Sequence, residues 1–263
     1  MTEVKTVKTR GNTDVIVRLL KEEDIDKFMD LHASLNEEDN KMLFLINNIS
    51  QKPSDKLIRQ TNMSRIQDGL VLGCFNKIDG KLLSVAVCDM NLENRGKGKD
   101  FDADNMLLDL KNTPMLQERC LITHPKYRGE GMISILRNQL RNIIIDLLNG
   151  GAENIKMKST KLSNNVERLS EIKEYLHLCS SALLNNIASL ASSISSGMTI
   201  TGIDDHNGIE KVITTKLLMD SGNEPSQEQK QKDEQMGLLT RLQEAENNIE
   251  RRQILGLKSK YII

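Results

Sequence analysis

The sequence predicts an α/β chain: a mixed, mostly antiparallel central sheet flanked by helices, followed by a C-terminal helical tail. Three observations predict it. The run Cys120-Leu-Ile-Thr-His-Pro-Lys-Tyr-Arg-Gly-Glu-Gly-Met132 passes from an apolar strand through a glycine turn into a helix, on which Met132, Leu136, Leu140, Ile143 and Leu147 recur at three- and four-residue steps. The apolar runs Leu70–Phe75 and Leu82–Cys88 flank Lys77-Ile-Asp-Gly80, the pattern of a hairpin with Asp-Gly at its tip. Asn154–Ser159 reads as the strand after the helix, completing a strand, helix, parallel-strand unit with a right-handed crossover.

The elements follow in order. Residues 1–13 are polar and predict no element. Val15–Leu20 is a strand, and Glu23-Asp24 open a helix with Ile25, Phe28, Leu31, His32 and Leu35 on one side. Asn36–Met42 is a charged link, Leu43–Ile46 a short apolar piece, and Pro53-Ser-Asp55 starts a helix to about Arg65. The hairpin is next, then an insertion from Asn91 to Pro114 with a small helix at Asn105–Leu110. Glu118–Thr123 is the central strand, and Gly150-Gly151 stops the helix behind it. Asn164-Asn165 begin a long helix reaching about Ser193, ended by Ser195-Ser-Gly197. Met198–Ile203 and Lys211–Leu218 form a second hairpin across Asp204-Asp-His-Asn-Gly208. Residues 12–220 thus make one domain, 221–235 a polar linker, and 236–263 an amphipathic helix and tail, with Leu238, Leu242, Ala245 and Ile249 as a narrow stripe for the chain's own domain or a partner helix.

The glycine turn is where chemistry is expected. The first N–H groups of a helix lack internal acceptors and carry partial positive charge, so they suit a phosphate. Gly129 and Gly131 let a ligand oxygen approach the backbone, and Arg128 adds a charged fork. A second Arg-Gly-x-Gly, Arg95–Gly98, opens no helix and reads as a surface loop.

The block resembles the acyl-CoA-binding motif of the GNAT family of N-acetyltransferases: a strand, a Pro-x-Tyr-Arg turn, then Arg or Gln, two residues, Gly, one residue, Gly or Ala. Arg128 and Gly131 match, and Ile133 stands at the final small-residue position. The resemblance covers Val15 to about Ser159. It implies a GNAT-type fold and acetyl transfer from acetyl-CoA, as co-substrate, to an amine of a small molecule or protein. It implies a cofactor cradle of Arg128, Gly129, Glu130, Gly131 and Met132, with Leu121, Ile122 and Thr123 offering backbone groups to the pantetheine arm, and Asn165 as a further contact. One amide of that strand would polarise the thioester carbonyl. Glu118 is the candidate base, and Tyr175 the candidate acid by resemblance. The acceptor site would come from loops 36–53 and 91–114. The missing Gly-Phe motif after Tyr175, Ile133 and the tail suit the alternative: an inactive GNAT-fold structural or binding subunit of a larger, even viral, assembly. A CoA-binding regulatory domain is a third reading.

Other candidates have simpler explanations. His124 precedes Pro125 and shapes the bend, Tyr127 packs, His177 and Cys179 point to different helix faces, and the Asp204–His206 turn needs no metal. The serines of 180–196 read as helix surface and cap.

Bulk properties bound the rest. Over 263 residues, 36 Lys+Arg against 37 Asp+Glu leave a net charge of −1, giving no drive toward nucleic acid or anionic membrane. Aromatic residues make up 3% and Trp is absent, which disfavours base-stacking or sugar platforms. Cys74, Cys88, Cys120 and Cys179 are widely separated in apolar runs, the pattern of reduced buried thiols rather than a metal or disulfide framework. With no apolar leader or membrane span, a cytoplasmic protein is expected, or a virion component under the structural alternative.

Overall fold

The computed structural model describes residues 5–46, 53–90, 115–149, 160–171, 176–206, 209–218, 225–245 and 247–254. The strands are β1 (Lys5–Lys8), β2 (Asp14–Leu19), β3 (Leu70–Asn76), β4 (Leu82–Asp89), β5 (Met115–Thr123), β6 (His177–Leu183), β7 (Thr199–His206) and β8 (Ile209–Leu217). They form one 8-stranded sheet in the order β1-β2-β3-β4-β5-β6-β8-β7. Every neighbouring pair is antiparallel except β5 and β6, so the expected mixed sheet is observed.

The helices are α1 (Ile25–Ala33), α2 (Glu37–Ile46), α3 (Asp55–Asp68), α4 (Met132–Leu148), α5 (Thr160–Glu171), α6 (Ile187–Ser195), α7 (Pro225–Glu244) and α8 (Asn248–Ile254). Because side chains alternate across a strand, β3 and β4 feed two cores and are buried on both faces. Leu70, Leu72, Cys74, Ala86 and Cys88 meet Met132, Leu136, Leu140 and Ile144 of α4. On the other side Val71, Phe75, Val85 and Val87 meet Ile25, Phe28 and Leu31 of α1 and Ile66 of α3. All four cysteines are free and buried, and burial pushes the Cys74 thiol up to about 12.

Several expectations are corrected. The N-terminal stretch is not without structure: Lys5–Lys8 pairs with Val17–Asp14. The charged link after Asn36 is helical as α2, its first turn carrying Glu37, Glu38 and Asp39, acids that suit a helix N-terminus. The long helix from Asn164 does not form. It is broken into α5 and α6 by β6, which lies parallel to β5 and antiparallel to β8. His177-Leu-Cys-Ser-Ser-Ala-Leu183 holds no β-branched residue, so its strand state comes from burial between two strands rather than from local preference. The polar run read as a linker is helical from Pro225 on, as the first half of α7, and residues 221–224 lie outside the described residues. Of the tail stripe, Leu238 and Leu242 pack, with Leu239 beside them, against Leu190, Ile194, Ile200 and Val212, one of the two dockings the sequence left open. The expected strand at 154–159, the helix at 105–110, and the loop at 95–98 lie outside the described residues.

One charged group ties the start of α1 to the sheet. The Asp24 carboxylate receives both guanidinium nitrogens of Arg18, at 2.6 and 2.8 Å, and the Lys21 N–H at 2.9 Å. Burial pushes this carboxyl up, but the Arg18 fork, the Lys21 amide and the charges of Arg18 and Lys27 outweigh it and hold it below the ordinary 3.8. The folded value is the lower one, so the stabilisation is present above the unfolded value and disappears as pH falls through the folded value. Asp24→Asn is expected to cost about 1–3 kcal/mol at neutral pH. In urea unfolding of both proteins, that difference should hold from pH 7 to 5 and shrink below about pH 4. A difference unchanged down to pH 2 would rule out the ionised pair as its source.

Candidate active site

After β5 the chain makes a single turn of 3-10 helix, Pro125–Tyr127, capped by His124, whose Nδ1 accepts from the Lys126 N–H at 3.2 Å. Arg128 is extended, and two left-handed glycines follow: Gly129 at φ +82° and Gly131 at φ +79°. Gly131 is the N-cap of α4, and no side chain caps that helix. Its first amides therefore face the space left by the two glycines. A Cβ on Gly129 would meet nothing within 4 Å.

Beside this turn the sheet opens. The parallel pairing of β5 and β6 consists of Met115 with His177, Leu116 with Leu178 and Gln117 with Cys179, and there it stops. Beyond it β5 stays paired with β4 up to Thr123, while β6 goes on with β8, so the two strands diverge as a V. The His124 N–H donates to the Leu83 carbonyl at 2.8 Å on the β4 side. Antiparallel alternation then turns the N–H groups of Leu121 and Thr123 toward the open side.

The V continues into a cleft of about 560 Å³, lined by β5 from Glu118 to Thr123, the turn at Tyr127–Gly129, Gly131–Ser134 of α4, the Ala188–Ser195 face of α6, and Leu35, Asp39 and Leu43 beside α2. Its size suits a small-molecule site. At the apex of the V, Arg137 of α4 takes over from the backbone ladder. The residues just past the last paired positions, Glu118 on β5 and Ser180 on β6, both bind its guanidinium. Nε lies 2.9 and 3.2 Å from the Glu118 oxygens, Nη2 donates to Ser180 at 3.2 Å and Ser193 at 3.0 Å, and Nη1 donates to Ser192 at 3.1 Å. A guanidinium has donors only, so each serine presents a lone pair to it and turns its own proton elsewhere.

Of the residues expected in the site, Leu121, Ile122, Thr123, Arg128, Gly129, Gly131 and Met132 line this one cleft. Glu118 lines it too, with its side chain 0% exposed and bound to Arg137. Glu130 points away, its carboxylate accepting from Thr9 Oγ1 at 2.6 Å and its carbonyl from the Arg10 N–H at 3.0 Å. Asn165 is buried on α5 and does not line the cleft, while Tyr175 lies outside the described residues. The helix that does flank the V is α6, and it shows the cleft Ala and Ser side chains. Sequence reasoning missed Arg10, Asp39, Arg137 and these serines. Arg137 had a signal: steps of four, three and four join it to Ile133, Leu140 and Ile144, a charge within an otherwise apolar helix row. Arg10 had none, since only the fold brings it to the turn.

Arg128 already has a partner: Asp39 of α2 lies 2.7 Å from its Nη2, with side chains 46% and 21% exposed. A half-exposed pair of this kind contributes about 0–1 kcal/mol, so an incoming anion can displace the carboxylate at little cost. Among the described residues no cluster of His, Cys, Asp and Glu suits a metal ion, and no helix is long and apolar enough to cross a membrane.

No family model and no curated protein matches the chain. Solved structures do. The GNAT domain of PAT from S. lividans is 11% identical, with 81% of this chain and 96% of that one covered and a TM-score of 0.50. A putative acetyltransferase, yncA, from Salmonella typhimurium with its cofactor acetyl-CoA is 14% identical over 80% and 97% at a TM-score of 0.44. A phosphinothricin acetyltransferase from Sinorhizobium meliloti in complex with acetyl-CoA is 11% identical over 80% and 92% at 0.46. The chain has the GNAT fold.

Proposed function

We propose that this GNAT-fold chain is an N-acetyltransferase that moves an acetyl group from acetyl-CoA to an amine. The observation that carries the reading is the coincidence of the β5/β6 V with the uncapped, glycine-flanked start of α4 in one cleft. The residues fit the co-substrate: left-handed Gly129 leaves open the space a Cβ would reach, and helix amides and Arg128 suit a diphosphate. The co-substrate would supply an acyl group activated as a thioester. The Leu121 and Thr123 amides stand where they can hold a polar arm along β5, and a preorganised amide there stabilises negative charge on a carbonyl oxygen.

The acid–base work has no evident owner among the described residues. Asp39 and Glu118 are ion-paired, no histidine lines the cleft, and Tyr127 is its one phenol. Under the transferase reading the amine attacks as its free base, so the rate should rise with pH through the pKa of the acceptor amine itself. The same observation favours a second reading, an inactive GNAT-fold subunit that binds CoA or serves a larger assembly. Isothermal titration with acetyl-CoA, then thiol release with a panel of primary amines, separates the two. Saturable binding with thiol release supports the transferase, binding alone supports the second reading, and no binding overturns both CoA-based readings and leaves a structural role.

A further inference from the structure

We infer that Arg10, outside the glycine motif, is a second cation for the diphosphate of the nucleotide ligand; this rests on the CoA-binding reading above. Among the described residues five charged ones line the cleft: Arg10, Asp39, Glu118, Arg119 and Arg128. Four of them are neutralised. Arg128 pairs with Asp39, Glu118 with Arg137, and Arg119 lies 3.5 Å from Asp89. Arg10 has no acidic partner among the described residues, so the cleft carries one uncompensated positive charge. An anion is the complement to it.

The position of that charge is built. Thr9–Thr13 form the β1–β2 connection, held by Thr9 N–H to the Thr13 carbonyl at 3.0 Å and the Thr13 N–H to Thr9 Oγ1 at 3.0 Å, with Asn12 left-handed at φ +69°. This connection is bolted to the glycine turn by Thr9 Oγ1 and the Arg10 N–H, which both donate to Glu130. Gly11 is part of the joint, because a Cβ there would run into the Glu130 side chain. The result lays the Arg10 stem along Gly131, with Cδ and Nε 3.5 Å from where a Cβ of Gly131 would sit. The guanidinium thus stands beside the amides that open α4, on the same side as the cleft it lines. Glu130, expected as a cradle residue, serves instead as the anchor that brings Arg10 there.

The test uses the full chain with CoA and with 3′-dephospho-CoA, by isothermal titration. Arg10→Gln, which keeps much of the stem and removes the charge, should weaken both ligands about tenfold, and Arg10→Lys should recover part of the loss. Circular dichroism and Tm should match wild type, since the joint to Glu130 uses Thr9, Gly11 and backbone. Unchanged affinity in Arg10→Gln overturns the inference. A loss seen with CoA and absent with the dephospho form would place Arg10 on the 3′-phosphate and overturn its assignment to the diphosphate. Failure of the wild-type chain to bind either ligand would instead overturn the function reading itself.

Discussion

Arg137→Ala should lower the unfolding free energy by about 3–5 kcal/mol, one of the two largest effects expected for a single substitution in this chain. The side chains of Arg137 and Glu118 are 2% and 0% exposed. Removing the guanidinium strands a carboxylate without water or counter-charge and takes from Ser180, Ser192 and Ser193 the donor that their hydroxyl oxygens accept from. For a domain whose whole stability is about 5–15 kcal/mol, that is about a fifth or more. The cost belongs to the broken pair, not to the pair's net worth. Arg137→Met combined with Glu118→Leu removes both charges and should therefore regain most of the loss. Urea unfolding of the two single variants and the double variant measures this as a cycle. A cost below about 1 kcal/mol for Arg137→Ala would mean that water reaches Glu118 and the apex of the V is not sealed.

This pair also shows what was legible in the sequence and what was not. Near neighbours in sequence carried the fold: the Asp-Gly hairpin between β3 and β4, the 3.6-residue stripe of α4, and the glycines before it all declare themselves within about 20 residues. The V does not. It is made where β5 parts from β6, and β6 has Leu, Cys, Ser and Ala where a strand prefers branched side chains, so its state depends on two partners distant in sequence. Assigning it to a helix merged α5, β6 and α6 into one element, while the hairpin of β7 and β8 behind it forms as expected. The small side chains of α6 that do face the cleft were read as helix surface. Glu118 was found as a residue and its ion pair was not, because its partner lies 19 positions away on the α4 face and only the packed structure shows both buried. Likewise Arg10 reaches the site through the Thr9–Glu130 contact, which spans 121 residues of sequence.

Gly131→Val should abolish measurable acetyl-CoA binding, a loss of roughly 100-fold or more, while the chain remains folded. Two effects combine. At φ +79° a β-branched residue is strained by on the order of 1–3 kcal/mol, and relief of that strain rotates the amides that open α4. The Cβ itself would only touch the Arg10 stem, at 3.5 Å, but the two methyl groups beyond it need room beside that stem and crowd the cation at the turn. Strain alone cannot explain so large a loss. Even a domain of only about 5 kcal/mol that gives up 3 keeps more than nine molecules in ten folded, so unfolding accounts for almost none of the lost affinity. Arg128→Glu should act on the same site by charge, opposing the ligand and turning the Asp39 contact repulsive, with little backbone strain. Tm and titration on each variant separate the cases. If Gly131→Val stays folded and binds acetyl-CoA like the wild type, the start of α4 is not the phosphate cradle, and the cleft must hold its ligand elsewhere along the V.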